Sequence, residues 1–373
     1  MKIKTFELER RQSIWENHVE YNLTESGIHP LSLGELLTED EQKELLELEL
    51  GYGQTNGDDR LRDQIASLYD RPSWSRENVL VTNGSSEANL LAVYSWLEPG
   101  DELIFMMPNY QQMNGLAESL DMKVKHWWLR EEDAWLPRLD ELENLISDRT
   151  RMIAVCNPNN PTGRVLPKTM MQELVELADQ HGVLLYADEV YRGAELNGEE
   201  TPSFADLSDN AVVCGGLSKA YSLPGLRMGW LAGPEGSIEQ AWEHRDYTSI
   251  SSGLVTQYAA RKALMPKRRS WILQRNRRLL RKNLEYFQQW TRKHNSRFHF
   301  SDPDAGGIVF LRYVEDISSR ELTRRLRERE SVFLVAGDCF GLDGFLRIGI
   351  GAEPQYLKEG LSRFDRWIEE NWE

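Results

Sequence analysis

The stretch AVVCGGLSKAYSLPGLRMGWLA, from Ala211 to Ala232, places Ser218-Lys219 and then Arg227 in a loop between two apolar runs. A lysine held beside a sheet can sit in a dry pocket. Desolvation lowers its pKa and frees it to attack a carbonyl as a Schiff-base nucleophile. Arg227 follows closely enough to grip an anion from the same loop. Other candidates stand at the ends of apolar runs. Gly84-Ser85-Ser86 offers backbone N–H groups and hydroxyls that suit a phosphate at a helix start, or serve as an ordinary N-cap. Asp188 ends the run Val183 to Ala187, where a carboxylate needs a partner. It serves a ligand there, or caps a strand or forms a salt bridge. Tyr191 follows three residues on, as a hydrogen-bonding hydroxyl or as a packed aromatic.

These residues need a scaffold, and the chain supplies an alternating one. Val79-Leu80-Val81, Glu102 to Met107, Val124 to Leu129, Met152 to Cys156 and Val183 to Ala187 read as strands. Helical runs separate them, including Arg138 to Ile146 and Lys168 to His181. Near-continuously apolar strands alternating with helices predict a parallel sheet covered on both faces. In such a sheet ligands bind beyond the carboxyl ends of the strands, where these candidates lie. Asp58-Asp59 predicts a cap for a helix through Tyr69. Residues 1–34 read as an extended arm, and Glu35 to Leu50 as helical. After Gly253 the texture changes. A long helix over 253–292, broken at Pro266, leads into strands Ile308 to Tyr313, Val332 to Ala336 and Phe345 to Ile350. Helices Ser319 to Glu328 and Glu353 to Glu370 complete a smaller α+β unit.

Composition narrows the function. The 373 residues suggest a large and a smaller domain. A net charge of −16 argues against a nucleic-acid or anionic-membrane surface. The basic run Arg268 to Lys282 is spaced as a solvated helix face. Cys156, Cys214 and Cys339 sit in apolar runs, which implies reduced, buried thiols and a cytoplasmic home. No cysteine or histidine spacing suggests a metal site. The N-terminus is polar, not a signal peptide, and no apolar run is long enough to span a membrane.

A phosphate cradle, a strand-end carboxylate, a loop lysine and a nearby arginine together match the needs of pyridoxal 5′-phosphate. Asn160-Pro161-Thr162-Gly163, Asp188-Glu189-Val190-Tyr191 and Ser218-Lys219 with Arg227 come in one order. In these motifs the chain resembles the class I/II aminotransferases of the aspartate aminotransferase superfamily, fold type I. The likeness runs from about Gly51 to Gly351. It implies an α/β fold: a large domain on a mostly parallel seven-stranded sheet and a smaller α+β C-terminal domain. The expected segments are 1–44 for the arm and the start of the small domain, 45–260 for the cofactor-binding domain, and 261–373 for the rest.

The resemblance also implies roles. Lys219 resembles the Schiff-base lysine and proton shuttle, and Asp188 the partner of the pyridinium nitrogen. Asn160 and Tyr191 resemble the pair on the phenolic oxygen, and Tyr110 the aromatic that stacks on the ring. Gly84, Ser85, Ser86 and Arg227 resemble the phosphate site, and Ser218 is expected among the cofactor-binding residues. Tyr52 resembles a tyrosine that reaches the neighbouring subunit's phosphate, which implies a homodimer. Arg347 resembles the clamp on the substrate α-carboxylate, with Asn160 and Gly34 beside the substrate. Two positions depart from the family: Gly216 stands where a serine commonly touches the phosphate, and Asp338 where a small residue often follows the glycine. The arm, residues 22–36, bears a likeness to capreomycidine-synthase-like members, which bind arginine derivatives. The implied reaction is transfer of an amino group between an L-amino acid and a 2-oxo acid. Elimination, decarboxylation or cyclisation would use the same residues, and a non-catalytic effector module would keep only the cofactor. Glu25, Glu35 and Asp338, if they face the pocket, would favour a basic or polar substrate.

Overall fold

The computed structural model describes residues 3–294 and 296–372. The first two residues and the last, at the tips of the expected terminal segments, lie outside it, as does Asn295. A seven-stranded sheet runs in the spatial order Val79–Thr82, Gly229–Ala232, Ala211–Gly216, Leu184–Asp188, Thr150–Cys156, Glu102–Met107, Lys123–Trp128. Gly229–Ala232 is antiparallel to both neighbours, and the other pairings are parallel. Successive strand residues alternate between two cores. Val79 and Val81 join one and Leu80 the other; Ile104 and Met106 oppose Leu103 and Phe105. That period of two, buried on both sides, explains why these strands read as unbroken apolar runs.

A four-stranded antiparallel sheet, Val335–Ala336, Phe345–Gly349, Ile308–Tyr313 and Phe298–His299, builds the smaller unit. Its own core holds Phe287, Trp290, Phe364 and Trp367. The helix Pro266–Lys293 joins the two units: Ile272, Leu273 and Leu280 pack in the large core, Phe287 and Trp290 in the small one. Pro266 opens that helix after Leu254–Ala263, as the break in the sequence pattern predicts.

The structure corrects the first 50 residues and one strand. The expected extended arm contains the helix Glu7–Trp15, and Tyr21–Asn22 pairs in parallel with Val332–Phe333. The helix buries only Leu8 and Gln12, so no apolar stripe announces it. The expected helix Glu35 to Leu50 is two short ones, Leu33–Leu36 and Glu39–Leu46. Capping boxes at Ser32 and Thr38 start each of them, the second interrupting the run. The run Val332 to Ala336 divides at Leu334, and its halves pair with different sheets.

Candidate active site

The carboxyl ends of the parallel strands open onto a cavity of about 280 Å³. Strand Leu184–Asp188 delivers Asp188, flanked in register by Cys156 and Cys214 on its neighbours. Burial pushes the Asp188 carboxyl up to about 6, against the Val190 N–H, Asn89 and the Lys219 charge. Asn89, on the helix Ser85–Trp96, also accepts the Tyr186 hydroxyl at 2.6 Å. Three residues past the strand Ala211–Gly216, Lys219 faces the same cavity. Burial lowers its pKa, opposed by the Glu25 charge, and its Nζ donates to Ser26 Oγ at 2.9 Å. A fraction of the amine is thereby neutral at lower pH than in water, as nucleophile and base chemistry require.

The expected phosphate residues converge. Gly84 precedes the helix Ser85–Trp96 with φ +78° and no side-chain cap. The hydroxyls of Ser85 and Ser86 therefore do not serve as the N-cap; both line the cavity with Ser218 and Arg227. Arg227 adopts φ +48°, and its Nη1 donates to the Pro224 carbonyl at 3.1 Å. A Cβ on Gly84 would lie 2.4 Å from Arg227 Nη2, and one on Gly229 2.5 Å from the Gly84 carbonyl carbon. Backbone and guanidinium thus approach as closely as glycine allows. At Gly216 a Cβ would meet the Met228 carbonyl at 3.3 Å, so the missing serine has a tight space.

Arg347 is 2% exposed in the central strand of the small sheet. Its Nη1 donates to Asn160 Oδ1 at 3.0 Å and Nη2 to the Thr24 carbonyl at 2.6 Å, while Nε stays without a partner. Tyr191 is buried alongside, and burial raises its pKa. Ser26 lies close to the Tyr191 hydroxyl without closing a well-formed hydrogen bond. Tyr110 edges against Phe6 at 4.8 Å and donates to Glu9 Oε1 at 2.8 Å, so the N-terminal helix braces it.

Two expected residues stand elsewhere. Gly34 lies in the exposed helix Leu33–Leu36, off the cavity; Gly27, near the Ser218 carbonyl, is the arm glycine beside the site. Tyr52 is 91% exposed and does not line its own chain's cavity. Glu35 closes a capping box with Ser32, and Asp338 pairs with Arg11 and Arg320, so neither faces the cavity. Sequence reasoning missed Ser26, Asn89, Glu9, Gln12 and Glu16. Asn89 left a trace, as a polar residue inside the apolar run Ala88 to Val93; the others left none.

The model of the family described as aminotransferase class I and II matches residues 35–364. The chain belongs to that family. Capreomycidine synthase of Streptomyces vinaceus is 32% identical over 91% of this chain and 88% of its own. Aromatic-amino-acid aminotransferase 2 of Thermococcus litoralis is 27% identical over 83% of this chain and 82% of its own. A crystal structure of a PLP-dependent aminotransferase from Streptococcus suis superposes with a TM-score of 0.93 at 34% identity, covering 99% of each chain. Pyridoxal 5′-phosphate, the family's cofactor, fits what these residues present. A phosphate suits the uncapped helix start, the two glycines and Arg227; the orphaned Tyr191 hydroxyl suits an oxygen partner. Among the described residues no helix is long and apolar enough to cross a membrane, and no group of acidic, histidine and cysteine side chains could hold a metal.

Proposed function

We propose that the protein moves an amino group between an L-amino acid and a 2-oxo acid, using pyridoxal 5′-phosphate, as a cytoplasmic homodimer. The observation that carries the reading is the meeting of Lys219, Asp188 and Arg347 around one cavity. The bound cofactor supplies an electron sink for the pair left when Cα loses its proton. Asp188 would hold the proton on the ring nitrogen. Asn160 and Tyr191 would bind the phenolic oxygen, and Gly84, Ser85, Ser86, Ser218 and Arg227 the phosphate. Lys219 Nζ takes the proton from Cα and returns it. Arg347 holds the α-carboxylate through charge-assisted bonds in a buried setting. The exposure of Leu46, Leu50 and Tyr52, at 83%, 84% and 91%, supports a second copy covering that segment. Three buried free cysteines support a reducing compartment.

Incubation with single L-amino acids and 2-oxoglutarate, with products read by mass spectrometry, tests the reaction. Transamination yields the 2-oxo acid of the donor and glutamate in equal amounts. The likeness to capreomycidine synthase favours a second reading, cyclisation of an amino acid. A ring-closed product, without glutamate, would replace the first reading by this one.

A further inference from the structure

Leu8, Glu9, Gln12 and Glu16 reach the cavity from the N-terminal helix and its C-cap position. Spacings of three and four place them on one helical face. Glu25 enters the same cavity from the extended segment that follows. Among the described residues, none of these three carboxylates has a lysine, arginine or histidine nitrogen within 4.0 Å. The remaining acids nearby are neutralised: Glu7 by Arg11 and Arg320, Asp338 by the same two arginines. Glu16 also caps a helix C-terminus, the negative end of the macrodipole. Burial and the charges of Glu25 and Glu9 raise its pKa. These like charges repel one another, and the chain answers them without a direct ion pair, through the Tyr110 hydroxyl on Glu9 and the more distant charges of Lys219 and Arg347.

Arg347 has the opposite need: it is buried with its Nε unpartnered. A ligand that satisfies both Arg347 and the three carboxylates carries an anion and a cation. We infer that the substrate is an amino acid with a cationic side chain, an ammonium or guanidinium, received by Glu9, Glu16 and Glu25 while Arg347 holds its α-carboxylate. The inference rests on the family reading of the cavity and names the substrate class for it. It also replaces Glu35 and Asp338, whose charges are spent elsewhere.

Neutral isosteres isolate the charge. The holoenzyme is titrated with L-arginine against L-citrulline, and L-lysine against L-norleucine, following its visible band and its thermal midpoint. The cationic member of each pair is expected to bind at least tenfold more tightly. Glu16→Gln should reduce the arginine-to-citrulline ratio at least fivefold; Glu25→Gln, at an exposed position, carries the same expectation should the first variant not fold. Equal binding within both pairs, or ratios untouched by either variant, overturns the inference and leaves the family reading standing. A band that responds to no amino acid of any charge overturns both.

Discussion

In the proposed reaction Lys219 is the residue on which the chemistry turns, because it is the amine whose pKa burial lowers beside Asp188. Borohydride treatment of the holoenzyme should fix the cofactor to Lys219, and Lys219→Ala should lose both the covalent link and nearly all turnover. A colourless wild-type protein that gains no visible absorbance with added cofactor would contradict this. Asp188 gives a second expectation, for the cofactor-free protein. Its carboxyl titrates at about 6 in the fold and near 3.8 when free. Between these values the unfolded chain has released the proton and the folded chain retains it. Stability is therefore fully present below about pH 4 and falls as pH rises through 6. The Asn89 side chain, the Val190 N–H and the Lys219 charge limit the loss to about 2–3 kcal/mol. Denaturant unfolding of wild type against Asp188→Asn from pH 4 to 7 should show that divergence; a constant difference would refute it. Arg347→Ala should weaken every amino acid substrate by roughly 2–5 kcal/mol, since it removes the buried charge proposed to meet their common carboxylate. Spectral titration that finds only some substrates weakened would reassign Arg347 to side-chain recognition.

At the scale of elements, the proposed phosphate cradle depends on a strand pressed against a helix start. Gly229 sits in the antiparallel strand whose neighbour ends at Thr82, and its missing Cβ leaves room for the Gly84 carbonyl and the Ser85 N–H. Both obstacles are backbone, which cannot rotate away. Gly229→Ala should raise the cofactor's Kd at least tenfold and destabilise the fold by about 1–3 kcal/mol. Gly236, with open space around it inside the helix Glu235–Arg245, is the control. Gly236→Ala should stabilise by about 0.4–1 kcal/mol and leave the Kd unchanged. Equilibrium dialysis and thermal melts separate the two outcomes. Equal Kd values for the two variants would mean the cradle tolerates a shifted backbone.

For the whole molecule, the question is whether one chain completes its own site. Tyr52 is exposed and does not line its own cavity, so its proposed phosphate contact requires a second copy. Mixing Tyr52→Phe with Lys219→Ala subunits should give hybrids with one fully intact site, hence activity above that of either parent. Light scattering that finds only active monomers would exclude this assembly.

The sequence by itself determined the sheet and much of the set of side chains that gathers at its carboxyl ends. Strands buried on both faces must be apolar throughout, and Lys219, Asp188, Asn160 and Arg227 stand at fixed distances from them along the chain. Local rules therefore sufficed to place them on one rim. The N-terminal helix obeys no such rule. Glu7–Trp15 buries two residues and carries no apolar stripe, so its position is set by contacts with Tyr110, Thr24, Asp338 and Arg320. The same holds for Gly34 and Gly27, which differ only in where the arm passes the cavity. Which glutamates line the cavity, and which are spent in caps and ion pairs, was decided by the tertiary structure alone. Long-range packing brings residue 16 beside residue 25 and residue 338 beside residue 11. Nothing in the spacing of acidic residues along an acidic chain distinguishes one from another.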